Sequence, residues 1–120
     1  MIDHITLHVT DIARSKAFYL GALGPLGYAV VMDFGDRLGL GVNGMPDFWL
    51  VGDGAGKPTH LAFSAQTRAI VDAFHAAAVA AGGQDNGGPG LRPQYHPNYY
   101  GAFVLDPDGN NIEAVIHRPG

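Results

Sequence analysis

Three side chains carry the chemistry of this sequence: His4, His60 and Glu113. Glu113 lies in the apolar run Ile112-Glu113-Ala114-Val115, directly behind the turn Asp106-Pro107-Asp108-Gly109-Asn110. A carboxylate inside an apolar strand must be compensated, because desolvating an unpaired charge is costly. His4 and His60 are the candidate partners. Each opens an alternating segment, His4-Ile5-Thr6-Leu7-His8-Val9 and His60-Leu61-Ala62-Phe63-Ser64, on the face opposite the apolar side chains. Two neutral imidazoles and one carboxylate make a nitrogen and oxygen donor set with positions left open. Such a set suits Fe, Mn, Ni, Co or Zn as a divalent ion. An open ion acts as a Lewis acid on substrate oxygens. His8 shares the face of His4 and, with Tyr99, is a candidate for proton transfer. Phe103 reads as a cavity wall, Arg92 as a recogniser of an anionic substrate group, and His96, beside Tyr95, as part of a loop over the cavity. His75 falls on the polar side of a helix and reads as solvated, and His117 as exposed.

The elements that must position these groups follow from periodicity and punctuation. Strands are expected at residues 2–9, 28–34, 37–43 and 47–51, with a capped helix over 11–23 whose apolar side is Ile12, Ala13, Ala17, Phe18 and Leu20. After Gly52-Asp53-Gly54-Ala55-Gly56 the pattern restarts: a strand at 59–65, then a helix at about 67–81 with Ile70, Val71, Phe74, Ala78 and Ala81 on one face. Residues 83–98, rich in glycine and proline, read as a long loop with one short strand. A closing hairpin spans 99–105 and 110–117, with Gly109 supplying the positive φ of a bulged turn. An offset of 56 positions carries His4 to His60, Ala17 to Ala73 and Phe18 to Phe74, so the chain reads as a repeat. The expected fold is α+β: one domain, 1–120, built from two βαβββ modules (about 1–52 and 57–120) that form a curved mixed sheet around a cavity. Register in the closing hairpin sets Phe103 opposite Glu113. His4, His60 and Glu113 are thereby expected to point away from the helices into one concave space.

Composition narrows the rest. The 120 residues are 47% hydrophobic and 15% charged, as in a globular domain. With no cysteine, disulfides, thiolate metal sites and a cysteine nucleophile are excluded, and a cytoplasmic location is compatible. A net charge of −4 without a Lys/Arg cluster gives nucleic-acid binding no support. No apolar run approaches the ~20 residues of a membrane span, and residues 1–8 lack the pattern of a signal peptide.

Four motifs together make the chain resemble the vicinal-oxygen-chelate superfamily: glyoxalase I, bleomycin-resistance proteins, extradiol dioxygenases and fosfomycin-resistance thiol transferases. They are Asp3-His4-Ile5-Thr6-Leu7, Ala17-Phe18-Tyr19, Thr59-His60-Leu61-Ala62-Phe63, and Asp106-Pro107-Asp108-Gly109 followed by Asn111-Ile112-Glu113. The resemblance covers nearly the whole chain. It implies the glyoxalase/bleomycin-resistance/dioxygenase-like fold, a divalent metal on His4, His60 and Glu113, a homodimer, and Thr6 and Trp49 in the substrate pocket. The implied activity is that of a metal-dependent lyase, isomerase or dioxygenase on a small oxygen-bearing molecule. The alternative is a binding protein that sequesters an aromatic or drug-like ligand. Trp49 or Phe48 takes the place of the fourth ligand of glyoxalase I, a glutamate. Phe103, ten residues before Glu113, takes that of the dioxygenase tyrosine.

Overall fold

The computed structural model describes residues 1–120 and contains two copies of one βαβββ unit. The first comprises β1 (Ile5–His8), α1 (Ile12–Leu23), β2 (Ala29–Asp33), β3 (Arg37–Val42) and β4 (Met45–Val51). The second comprises β5 (His60–Ser64), α2 (Arg68–Ala80), β6 (Gln84–Leu91), β7 (Tyr100–Leu105) and β8 (Asn111–Ile116). Each unit forms its own four-stranded mixed sheet, ordered β1-β4-β3-β2 and β5-β8-β7-β6, with the parallel pairs β1/β4 and β5/β8. The two sheets are open and are not joined by hydrogen bonds. β1 and β5 are therefore free edges.

Both helices begin on the side-chain caps their sequences offer. Asp11 accepts from the Arg14 amide and Thr67 from the Ile70 amide, each satisfying an otherwise unpaired helix N–H. Helix α2 buries Val71, Phe74 and Ala78 as its periodicity requires, with Ile70 and Ala81 half-buried. Helix α1 differs from expectation. Phe18 is buried, but Ala13 and Ala17 face solvent, and the buried stripe is Ser15, Phe18, Tyr19, Ala22 and Leu23. The reason is Tyr19, whose ring packs edge-on against Phe18 and Phe48 while its hydroxyl donates to the buried Asp106 carboxylate. Small alanines forfeit little by facing water, so the larger side chain sets the rotation.

The helices pack against each other and weld the units into one core. A Cβ on Gly21 would lie 2.7 Å from the Ala81 Cβ, and one on Gly83 would lie 2.5 Å from both Phe18 Cε1 and Val104 Cγ1. Gly83→Ala is therefore expected to destabilise the protein by about 1–3 kcal/mol, the usual cost of overpacking. Chemical denaturation measures it.

Residues 84–91 correct the sequence expectation. The one short strand expected within 83–98 is an eight-residue edge strand, β6, that takes up half of the expected loop. It pairs antiparallel with β7 through two register shifts, around Gly87, whose φ is +145°. With three glycines and a proline among its residues the strand shows no alternating side chains; backbone pairing and Arg92 hold it. Arg92 donates from Nη1 to Gly90 O (2.9 Å) and from Nη2 to Gly88 O (2.8 Å), with its guanidinium 5.4 Å from the centre of the Phe103 ring. His75 is a second correction. It is largely covered, its Nε2 2.9 Å from Asp85 Oδ1, tying α2 to β6. This pairing lowers the Asp85 pKa, helped by the Gly87 amide.

Candidate functional site

The closing hairpin has the expected geometry. Gly109 adopts φ +83°, Gly109 N donates to Asp106 O, and β7 and β8 pair Phe103 with Glu113 and Gly101 with Val115. One face of the hairpin, with Ala102, Val104, Ile112, Ala114 and Ile116, is buried, with helix α2 packed on it. Glu113 projects from the other face yet is only 1% exposed. Parallel pairing places β5 beside β8, with His60 in register with Asn111 and Ala62 with Glu113.

That register brings His60 Nε2 to 2.8 Å from Glu113 Oε1. The second carboxylate oxygen, Oε2, accepts from the Tyr99 hydroxyl. Both oxygens of a buried anion are thus satisfied, as burial demands. Gly101 makes room for this arrangement, because a Cβ there would stand 3.2 Å from Glu113 Oε2 and 3.1 Å from the Tyr99 ring. Phe103 flanks the His60 ring at 6.2 Å between centroids. The Tyr99 ring makes edge contacts with Tyr95 and His117, and His96 with His117, so the loop bearing Tyr95 and His96 lies beside Tyr99. Desolvation, then the hydrogen bond to Glu113, pushes the Tyr99 phenol well above its ordinary value.

His4 lies apart from this pair. Within one copy of the chain no three His, Asp or Glu side chains gather closely enough to hold an ion. The sequence expectation that His4, His60 and Glu113 share one space is therefore met by two of the three within a single copy. His4 projects with Thr6 and His8 from the solvent face of β1, opposite buried Leu7 and Val9. Its Nδ1 is 2.7 Å from Asp3 Oδ1, which leaves Nε2 outward. His8 repeats the motif, with Nδ1 2.7 Å from Asp53 Oδ1. Thr6 is in register with Trp49 on the neighbouring strand. Trp49 lies flat over Gly39, with ring atoms 2.9 Å from where a Cβ would be, and Phe34 stands parallel to it at 6.4 Å between centroids. Asp3 and His60 both line a cleft of about 780 Å³ running between the free edges of β1 and β5, floored by Phe48 and Phe63.

Sequence reasoning missed Asp3, Asp53 and Phe34. The two aspartates had a legible signal, a carboxylate beside or beyond a histidine, but the separation of 45 positions between His8 and Asp53 hid the second.

The donors suit a borderline divalent ion. His60 Nε2 and Glu113 Oε1 are a nitrogen and an oxygen close enough to share one, and the imidazole is half-exposed and reachable. The carboxylate on the Nδ1 of His4 is the outer partner that metal-binding imidazoles usually have.

A model of the Glyoxalase/Bleomycin resistance protein/Dioxygenase superfamily matches residues 1–114, and the chain belongs to that superfamily. A crystal structure of a glyoxalase/bleomycin resistance protein from Albidiferax ferrireducens T118 is 34% identical, with a TM-score of 0.82 over 94% of this chain and 96% of that one. A glyoxalase-related enzyme from Fulvimarina pelagi (23% identity, TM-score 0.74, 96% and 86% covered) shares the fold. So does a lactoylglutathione lyase from Agrobacterium tumefaciens (20% identity, TM-score 0.71, 96% and 92% covered). Among curated protein sequences, none matches significantly. No helix is long and apolar enough to cross a membrane.

The phenols make one further expectation. Burial and the partners Asp106, Asp47 and Glu113 raise the pKa values of Tyr19, Tyr28 and Tyr99. A raised folded pKa means that folding favours the protonated phenol. The contribution is therefore complete below the unfolded value near ~10 and is lost as pH climbs through the folded values. Denaturant midpoints are expected to be insensitive to these groups near neutrality and to fall above a pH of about 10.

Proposed function

We propose that this chain is a divalent-metal-dependent enzyme of the glyoxalase/dioxygenase type, acting on a small organic molecule through its oxygen atoms. The observation that carries the reading is the pair His60 Nε2 and Glu113 Oε1, 2.8 Å apart on adjacent parallel strands, with the carboxylate buried and the imidazole reachable. His60 and Glu113 hold the ion from one copy, and His4 of a second copy completes the set, making the working form a homodimer. The free edges of β1 and β5, and the cleft between them, favour such an arrangement.

When bound, the ion supplies a Lewis acid for substrate oxygens on which negative charge develops. The chain's own residues do the rest. Tyr99 holds Glu113 through Oε2 and fixes its orientation. Because its phenol stays protonated at neutral pH, Tyr99 donates a hydrogen bond and does not serve as a base. His8 is the proton acceptor of the pair: Asp53 engages Nδ1 and so fixes Nε2 as the basic atom. Phe103 flanks one side of the His60 ring and gives the site an apolar wall there. Thr6, Trp49, Arg92 and His96 complete the pocket walls.

Complementation tests the arrangement. His4→Ala and Glu113→Ala proteins should each fail to bind metal. Unfolded together in equal amounts and refolded, they should regain about a quarter of the sites, because half the dimers are mixed and each mixed dimer has one intact site. Metal content after desalting reads this directly. Full metal binding by His4→Ala would remove His4 from the set, and no recovery on mixing would rule out sharing between copies.

A second reading is favoured by Phe34 and Trp49, whose parallel rings present an aromatic surface next to Thr6. In that reading the protein sequesters a flat aromatic ligand. Tight ligand binding that survives complete chelation of metal would select it.

A further inference from the structure

The link between the two units runs past the free edge of β1 and borders a second, open cavity of about 210 Å³. Thr6, His8, Gly56, Lys57 and Asn110 are among its lining residues, of which few are apolar. The link is pinned at both ends. Gly54 N donates to Val9 O at 3.0 Å, and Thr59 N donates to Asn110 Oδ1 at 2.9 Å. Between these anchors the amides of Ala55, Gly56 and Lys57 donate to no backbone or side-chain acceptor. Lys57 is one of two lysines, and while Lys16 pairs with Asp33 at 3.5 Å, Lys57 has no carboxylate partner. The Thr6 hydroxyl, which borders the same cavity, also has no partner. Of the nearby acceptors, Asn110 Oδ1 is engaged by Thr59 N and the Asp53 carboxylate, which does not line the cavity, by His8 Nδ1.

One cavity is thus bordered by an ammonium, a hydroxyl and three consecutive free amides. Successive amides in a glycine-rich turn form a concave anion site, and a lysine supplies the point charge suited to phosphate. The donors come from two chain segments on different sides, which matches four tetrahedral oxygens better than a planar carboxylate. We propose that the cavity bounded by Thr6, His8 and the 54–57 link binds a phosphoryl oxyanion, free or carried by a larger molecule. None of its donors belongs to the set His4, His60 and Glu113, so the site stands or falls independently of the metal reading.

Amide chemical shifts of the intact protein, followed during titration with inorganic phosphate, phenyl phosphate or acetate at constant ionic strength, test it. Saturable shifts at Ala55, Gly56 and Lys57 are expected with phosphate. In Lys57→Met the affinity should fall by about tenfold or more, as expected for losing one charge-assisted contact. Thr6→Val should weaken it further while leaving the β1 amides unshifted. Tighter binding of phenyl phosphate would identify a phosphorylated organic molecule as the source, and tighter binding of inorganic phosphate the free ion. Absence of saturation, or an affinity unchanged in Lys57→Met, would overturn the site. Acetate binding as tight as phosphate would overturn its tetrahedral character.

Discussion

Glu113→Ala is expected to lower divalent-metal affinity by more than about 100-fold while leaving a folded protein. Removing an outer hydrogen-bond partner of a metal ligand commonly costs about 10–100-fold, and Glu113 is proposed as a ligand itself. The fold should survive because the groups left behind can find water: His60 is half-exposed and Tyr99 lies at the rim. Tyr99→Phe is the informative companion. It keeps the carboxylate and the aromatic ring but frees Oε2, so its loss should fall within the outer-partner range of about 10–100-fold. Glu113→Gln preserves shape without charge and should resemble the alanine variant in metal content. Calorimetric titration of metal-stripped protein with Mn(II), Ni(II) and Zn(II) gives the comparison. Equal affinity of wild type and Glu113→Ala would remove the carboxylate from any metal role.

The largest stability effect is expected at Asp106. Its buried carboxylate accepts from the Tyr19 hydroxyl, from the amides of Asp108 (2.9 Å) and Asn110 (2.8 Å), and from Asn110 Nδ2 (2.9 Å). Alanine leaves this group of donors behind, and Tyr19 and Asn110 are too deeply buried to recruit water freely. Each stranded buried group costs about 1–3 kcal/mol, though the turn can relax and recover part. A net loss of about 3–5 kcal/mol follows, at the severe end for one substitution. For a domain of this size that lowers Tm by roughly 10–20 °C. Tyr19→Phe removes a single donor and should cost about 1–3 kcal/mol. Because Tyr19 comes from the first unit and Asp106 from the second, a double-mutant cycle between them measures the coupling of the units directly. Additive losses would show that the contact carries none.

Much of this was legible in the sequence, for identifiable reasons. Alternation placed β1, β5 and β8 and predicted which face of each is apolar, because one side of every such strand is covered. Counting from the Asp106–Asn110 turn gave the Phe103/Glu113 register, since turn geometry fixes hairpin pairing. The bounds of strand β6 were not legible, because a glycine-rich edge strand has no side-chain period to read. The rotation of α1 was missed because it depends on a hydroxyl meeting a carboxylate 87 positions away. His60 and Glu113 could be read onto one concave face, but the parallel pairing of β5 with β8 that joins them could not. The distance of His4 from them could not, because it depends on how two free-edged sheets are set against each other, and no local pattern encodes that.

Trp49 is the chain's single tryptophan. It sits half-buried on the solvent face of the first sheet, in register with Thr6 and against Phe34. The protein therefore carries a built-in optical reporter: its emission arises from one known place, and an aromatic guest, a quencher or the parting of β3 from β4 would each change it without any label.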